Sequence, residues 1–380
     1  MSISQSARVL SQRAGYRPMK KISVTREIQS IPVYTPGKPI EEVERELGIR
    51  GSIKLASNEN PRGPSKRALR AIKESLKEIH RYPESNGEPL VLALAKKWRL
   101  NPEQILLGNG SNEIIEMLTR TLLVPGDETI FADWTFSVYQ RMVLASNGKP
   151  VIVPLKLFRH DLTGMAARIS RRTKIIFICN PNNPTGTFVT KEEMDRFFER
   201  IPDRVIVVMD EAYGDFVTHR QCAKGIGYLR AGRNLVVLRT FSKVYGLAGL
   251  RLGYGMGSEE LVSYMKRVRQ PFNTSLLAQR GGLAALSDET HVRESLRLNQ
   301  LGRHYLYQVF DSMGVFYLPT QANFILIRIK EGETGVYEKL LKKGVIVRNL
   351  GEGFLRVTIG VPEENKRFEN AFREVVGCEQ

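Results

Sequence analysis

No apolar run in this 380-residue sequence reaches the ~18–20 residues that a membrane-spanning helix requires, so no membrane partner is expected. Cysteine is scarce. Cys179, Cys222 and Cys378 are the only three, and they show neither CxxC nor any other metal-ligand spacing. No metal site is therefore expected, and a reducing, cytoplasmic setting is the plain reading. Acidic residues are in deficit: 40 Asp and Glu against 57 Lys and Arg leave a net charge of +17. A nucleic acid could answer that excess. Yet the chain lacks an RNP-like or zinc-finger pattern, and no basic stretch is interleaved with aromatics. Basic residues spread over helix faces, plus a site for phosphorylated small molecules, account for the charge without a nucleic-acid partner. Internal repeats, low-complexity segments and the GxxxxGK[ST] phosphate loop are absent as well.

What is present is enough for a large core. Hydrophobic residues make up 42% and charged residues 26%, which suits two domains or one large and one small lobe. The opening "MSISQSARVLSQRAGYRPMKK" holds five basic residues and no acid. It has a faint transit-peptide flavour but no apolar secretory core, and is read as a basic extension set apart from the fold. From Ile105 onward, short apolar runs alternate with helical patterns: "QILLG", "ETIFAD", "VIVPL", "KIIFICN", "RVIVVMD" and "NLVVLRT". Thr190 is placed to cap the amphipathic "KEEMDRFFERI". Strands apolar on both faces and separated by helices predict a mostly parallel sheet covered on both sides, an α/β fold. Beyond Arg269, long helical stretches lead to "FILIRI", a helix around "GVYEKLLKKG", "VIVRNL" and "FLRVTIG", which predict a smaller α+β lobe.

Ligands of open parallel sheets bind at the carboxyl ends of the strands. Four such ends here carry "NGSNE", "NPNNPTG", "DEAYGDF" and "TFSK". "GNGSNE" runs from strand to helix, so its amides and dipole suit a phosphate, although a simple tight turn explains it equally well. Asp210 ends an apolar run and could cap the next helix. It could instead be the counter-ion of a ring nitrogen that must stay protonated. Tyr213 could face the same pocket or merely pack in the core. Lys243 follows a strand too apolar for an exposed edge, a position that suits a Schiff base with an aldehyde. Ser242 and Arg251 add a donor and a charge for a phosphate, to be shared with the amides of Gly110, Ser111 and Asn112. These requirements together describe pyridoxal phosphate. Asn183 and Tyr213 would donate to the ring oxygen, and Phe136 of "DWTFSVY" would stack on the ring.

The ordered motifs "YTPGKPIEEVERELG", "KLASNENPRGPS", "HRYPES", "GNGSNEII", "NPNNPTG", "DEAYGDF", "RTFSKVYGLAGLRLGYG", "RQPFNTSLLAQ", "QANFILIRI" and "FLRVTIG" span about Glu27 to Val376. With them the chain resembles the fold-type I aminotransferases, and among these the histidinol-phosphate aminotransferase family. The resemblance implies that Lys243 binds the cofactor and shuttles the proton, that Asp210 pairs with the pyridine nitrogen, and that Asn183 and Tyr213 serve the ring oxygen. It gives Ser111, Asn112, Ser242 and Arg251 to the phosphate. Tyr82 of "RYP" would reach that phosphate from a second subunit, so a homodimer with shared sites is implied. Arg356 resembles the family's carboxylate-binding arginine, with Arg348 a second cation beside it or a surface ion-pair residue. Asn183 would also touch substrate, and Tyr34 would close the pocket. Where the family carries a proline and a small residue before the stacking ring, this chain has "DWTF", which sets Trp134 beside the cofactor wall.

The expected organisation is a basic extension over 1–30, an arm and helix over 31–57 associated with the smaller domain and the dimer partner, a large cofactor-binding domain over 58–270 and a small domain over 271–380. The expected reaction is transamination between histidinol phosphate and glutamate in histidine biosynthesis. Rival readings are an aromatic amino acid aminotransferase or a phosphothreonine decarboxylase of the same fold and, from a different class, a basic nucleic-acid-binding protein.

Overall fold

The computed structural model describes residues 22–33, 37–330 and 335–377. In the first segment, Thr25 caps a single short helix, Arg26–Ser30, its hydroxyl accepting from the amide of Ile28. The described residues from 37 onward form a unit of their own. Its strands, in chain order, are β1 (Ile53–Leu55), β2 (Ile105–Asn109), β3 (Glu128–Ala132), β4 (Lys149–Val153), β5 (Thr173–Cys179), β6 (Ile206–Asp210), β7 (Leu235–Thr240), β8 (Leu252–Met256), β9 (Phe316–Tyr317), β10 (Phe324–Arg328), β11 (Val345–Gly351) and β12 (Phe354–Thr358).

Seven of these make one sheet in the order β2-β8-β7-β6-β5-β3-β4. Every pair is parallel except those of β8, which runs against both neighbours. β2 therefore points the same way as β7, and the carboxyl ends of β2, β3, β5, β6 and β7 open on one rim. The central strands are buried along their length because both faces are covered: "IVVMD" and "LVVLRT" have no exposed residue. Thr190 caps the helix Lys191–Phe198 as expected, in a reciprocal box with Glu193.

The second sheet has the order β1-β11-β12-β10-β9, with β1 parallel to β11 and the others antiparallel. The antiparallel register of β11 and β12 sets Arg348 directly opposite Arg356. This sheet packs its own core on Phe310, Phe368 and Phe372 of the helices Glu289–Ser312 and Pro362–Val375. The helix Leu276–Leu286 lies past the expected break at 270/271, and its Ala278 and Ala285 belong to the core of the larger sheet.

Candidate active site

Polar groups gather at the open rim because each strand ends there in a turn that the core leaves unfilled. β2 ends at Asn109, and Gly110 (φ +74°) turns the chain into the helix Ser111–Leu122. A side chain at Gly110 would be strained by that φ and would displace the Arg251 guanidinium, whose Nη2 would lie 2.5 Å from its Cβ. Gly253, on β8, is pressed against the same turn: its Cβ would meet the amide nitrogen of Ser111 and lie 2.7 Å from the carbonyl carbon of Gly110. Arg251 itself has φ +53° and donates through Nη1 to Ala248 O at 3.1 Å and Ser242 Oγ at 3.5 Å. A guanidinium, a serine hydroxyl and the free amides of a helix N-terminus thus converge, a set of donors suited to a phosphate.

Asp210, 2% exposed, stands at the end of β6 beside Cys179, its partner across to β5. Its Oδ1 accepts from the amide of Ala212 at 3.1 Å and its Oδ2 from the hydroxyl of Tyr139 at 2.8 Å. Burial pushes the carboxyl pKa up, and the Tyr139 hydrogen bond, the Ala212 amide and the Lys243 charge oppose it. Among the described residues it forms no ion pair. Lys243 lies on the turn after β7. Its Nζ donates to the carbonyl of Ser57 at 3.2 Å and sits 5.6 Å from the centre of the Tyr213 ring. Burial, and then the positive field of Arg356, bring its pKa down to about 7. Glu59 and Asp210 act the other way, without offsetting those two causes.

Tyr213 accepts a hydrogen bond at its hydroxyl from Asn58 Nδ2 at 2.9 Å, and burial raises its pKa to about 12. Asn58 is itself fixed, in a left-handed conformation (φ 55°), by Thr358 and by Asn323, which donates to its carbonyl at 3.0 Å. Arg356 donates to Asn183 Oδ1 at 2.5 Å and to Ala56 O at 2.7 Å. An inner cavity of about 380 Å³ holds Ser111, Asn112, Asp210, Ser242, Lys243 and Arg251. An outer one of about 370 Å³ reaches Trp134, Arg348 and Arg356. Phe136, Asn183, Tyr213 and Lys243 line both, so the two are compartments of one site.

Most of the residues expected from sequence are thus brought together. Tyr82 is not: it is 81% exposed, stacks on Phe272 at 4.6 Å, and lines neither compartment of its own chain. Tyr34 lies outside the described residues. Trp134 lines the outer compartment and packs edge-on against Phe354 at 4.9 Å. Sequence reading assigned no role to Asn58, within the quoted "KLASNENPRGPS", or to Tyr139, which closes the quoted "DWTFSVY". No local signal marked Tyr139: Phe136 precedes the helix Val138–Ala145, and the two rings meet only because the turn into that helix brings them together.

The pattern of the aminotransferase class I and II family matches residues 50–372. A histidinol-phosphate aminotransferase of Moorella thermoacetica is 48% identical over 377 residues, 98% of each chain. Histidinol-phosphate aminotransferase 2 of Carboxydothermus hydrogenoformans is 44% identical over 93% of this chain and 99% of its own length. Among solved structures, the histidinol-phosphate aminotransferase of Sinorhizobium meliloti in complex with pyridoxal-5'-phosphate superposes with a TM-score of 0.85. It is 25% identical and covers 93% of this chain and 97% of its own.

Proposed function

The chain belongs to the class I and II aminotransferases, and from that premise we propose that it exchanges an amino group between histidinol phosphate and 2-oxoglutarate, in histidine biosynthesis, with pyridoxal phosphate bound at Lys243. One observation carries the reading. A lysine amine with a pKa near 7 and a buried carboxylate without an ion pair share one cavity, and that cavity opens on two arginines.

The residues fit the cofactor. Among the described residues Asp210 forms no ion pair, and a protonated pyridine nitrogen would supply one in the dry interior. The pinched turn at Gly110, with Ser111, Asn112, Ser242 and Arg251, would hold the phosphate. Asn183 and Tyr213 would hold the ring oxygen and Phe136 the ring face. When bound, pyridoxal phosphate supplies an aldehyde for the substrate amine and a ring that takes up the electron pair left as the substrate C–H bond breaks.

Lys243 Nζ does the proton work. With its pKa brought down to about 7, a substantial share of it is uncharged near neutral pH and can take the proton from the nitrogen-bearing carbon of the substrate and hand it on. Arg356 would hold the anionic arm, the carboxylate of glutamate or the phosphate of histidinol phosphate, with Arg348 beside it. Asn183, tied to Arg356, links that arm to the cofactor side of the site. The relatives' names do not favour the aromatic aminotransferase or the decarboxylase reading.

Two further assignments belong to this proposal. The enzyme would be a homodimer, with Tyr82 serving the partner's phosphate cup. The exposure of Leu69, Leu76, Ile79 and Tyr82 along one stretch supports that interface. It would work in the cytoplasm; no helix among the described residues is long and apolar enough to cross a membrane. The test is a spectrum. Protein incubated with pyridoxal phosphate should turn yellow, and histidinol phosphate alone should bleach it. Yellow that persists would remove the substrate from the proposal. No yellow at all would remove Lys243.

A further inference from the structure

Tyr139 lies at the start of the helix Val138–Ala145 and is fully buried. Three independent contacts fix it. Its ring stacks on Phe177 of β5 at 4.4 Å with an interplanar angle of 5°. The edge of Phe136 meets it at 5.7 Å and 86°. Its hydroxyl donates to Asp210 Oδ2 at 2.8 Å. Packed without exposure against Phe177 and Phe136, the phenol has its O–H aimed at the carboxylate before any ligand arrives.

We infer that Tyr139 is a positioning residue for the amino-transfer reaction: it holds Asp210 ionised and correctly turned toward the cofactor ring, and through Phe136 it fixes the wall on which that ring lies. The inference rests on the proposed binding of pyridoxal phosphate at Lys243. The groups facing Asp210 come from four elements. They are Tyr139 from its helix, the Cys179 thiol from β5, Lys243 from the turn after β7, and Tyr213 from the turn after β6. Burial pushes the Cys179 thiol and both phenols up, so they stay protonated, and among the described residues Tyr139 is the one side chain that hydrogen-bonds the carboxylate. Donation by a phenol favours the charged carboxylate, so removing it moves the Asp210 carboxyl further up. A ring nitrogen paired with a less firmly ionised carboxylate is less firmly protonated, and withdraws less electron density from the rest of the ring.

Tyr139→Phe keeps both ring contacts and deletes only the hydroxyl. In the holoenzyme, the pH midpoint at which the bound cofactor's absorbance changes should move up. The cofactor dissociation constant should rise by about tenfold, the scale of a lost hydrogen bond to a charged group. kcat should fall while KM for histidinol phosphate stays within about twofold, the signature of a lost interaction that matters after binding. In an Asp210→Asn background the same change should leave cofactor affinity where it was. An unmoved midpoint with normal affinity and kcat would overturn the inference. So would a variant that melts earlier but keeps the wild-type midpoint and affinity, since Tyr139 would then be packing alone. An effect of equal size in the Asp210→Asn background would also overturn it, because Tyr139 would not be acting through Asp210. If the wild-type protein binds no cofactor, the functional proposal fails instead, and that result is read before any variant is made.

Discussion

Gly253→Ala adds one methyl group where backbone approaches backbone. The new Cβ would lie 2.7 Å from the carbonyl carbon of Gly110 and 3.1 Å from Arg239 O, and still closer to the amide nitrogen of Ser111. Ordinary contact begins at 3.4 Å, and none of these atoms is the end of a flexible side chain. β8 is also hydrogen-bonded on both edges, to β2 and to β7, so the strand has no room to retreat. What yields is the turn at Gly110 and the first residues of the helix that opens the proposed phosphate cup. Overpacking of this kind costs about 1–3 kcal/mol. Displacing even one charge-assisted donor from the phosphate should weaken cofactor binding by about tenfold. The assay is equilibrium titration with pyridoxal phosphate beside a thermal melt of the same samples. Gly227→Ala is the control, because a Cβ there meets nothing within 4 Å and the residue lies in the helix Gly225–Arg230. That change should be neutral or slightly stabilising. Wild-type affinity and melting temperature in Gly253→Ala would refute the claim that this strand shapes the cup.

Lys243→Ala should abolish the yellow form and reduce turnover by about 10²–10⁴-fold or more, as loss of a positioned proton carrier does; single-turnover rates with histidinol phosphate check it. Capture of pyridoxal phosphate by empty enzyme should quicken as pH rises through about 7 and then level off, because the uncharged amine is the reactive form and its pKa is held near that value; stopped-flow absorbance across the pH range gives the midpoint, and one near 10 would contradict the burial argument. Arg356→Gln should raise KM for glutamate and for histidinol phosphate together, by about tenfold or more, leaving cofactor affinity nearly intact; a selective effect on one substrate would mean that the two anions use different cations. Glu211→Ala should destabilise the fold by about 3–5 kcal/mol, since Arg239 would keep its buried charge after losing the 3.0 Å partner, with Asp215 at 2.8 Å its one remaining ion pair among the described residues; denaturant unfolding measures it.

Which features were legible in the sequence follows a physical pattern. Strands buried on both faces betray themselves as continuous apolar runs, and a polar residue ending such a run has few innocent explanations. Asp210 and Lys243 therefore stood out. β8 did not, because its "LGYGM" carries two glycines that lower strand propensity. The structure supplies the reason for them: Gly253 and Gly255 face the helix Ser111–Leu122, with Ile114 Cγ2 only 2.8 Å from a Cβ at Gly255. β1 is three residues long and exists only by pairing with β11, a contact across nearly the whole chain that no local pattern announces. Tyr139 and Asn58 escaped for the same reason. Their roles come from what they meet, at Asp210 and Tyr213, and not from their neighbours in sequence. Arg348 and Arg356 were visible as cations, but their facing arrangement depends on the register of β11 and β12.

That arrangement ties ligand occupancy to the chemistry of the lysine. Arg356 is the largest electrostatic cause, after burial, of the depressed basicity at Lys243, and Arg251 adds to it. Both arginines are also the groups that the proposed assignment gives to incoming anions, Arg251 to the cofactor phosphate and Arg356 to the substrate arm. An anion that arrives at either one offsets the charge that was holding the lysine pKa down. Without those anions the site therefore presents an amine of which a substantial share is uncharged near neutral pH and ready to react with an aldehyde. The filled site presents the same amine with its basicity partly restored, when its task is to hold a proton. Glu59 and Asp210 favour the protonated lysine throughout, so the balance is set by whether the two guanidinium groups are neutralised. Under the proposed assignment, a single lysine would serve both as the anchor of the cofactor and as the base of the reaction because those two states differ in the charge around it.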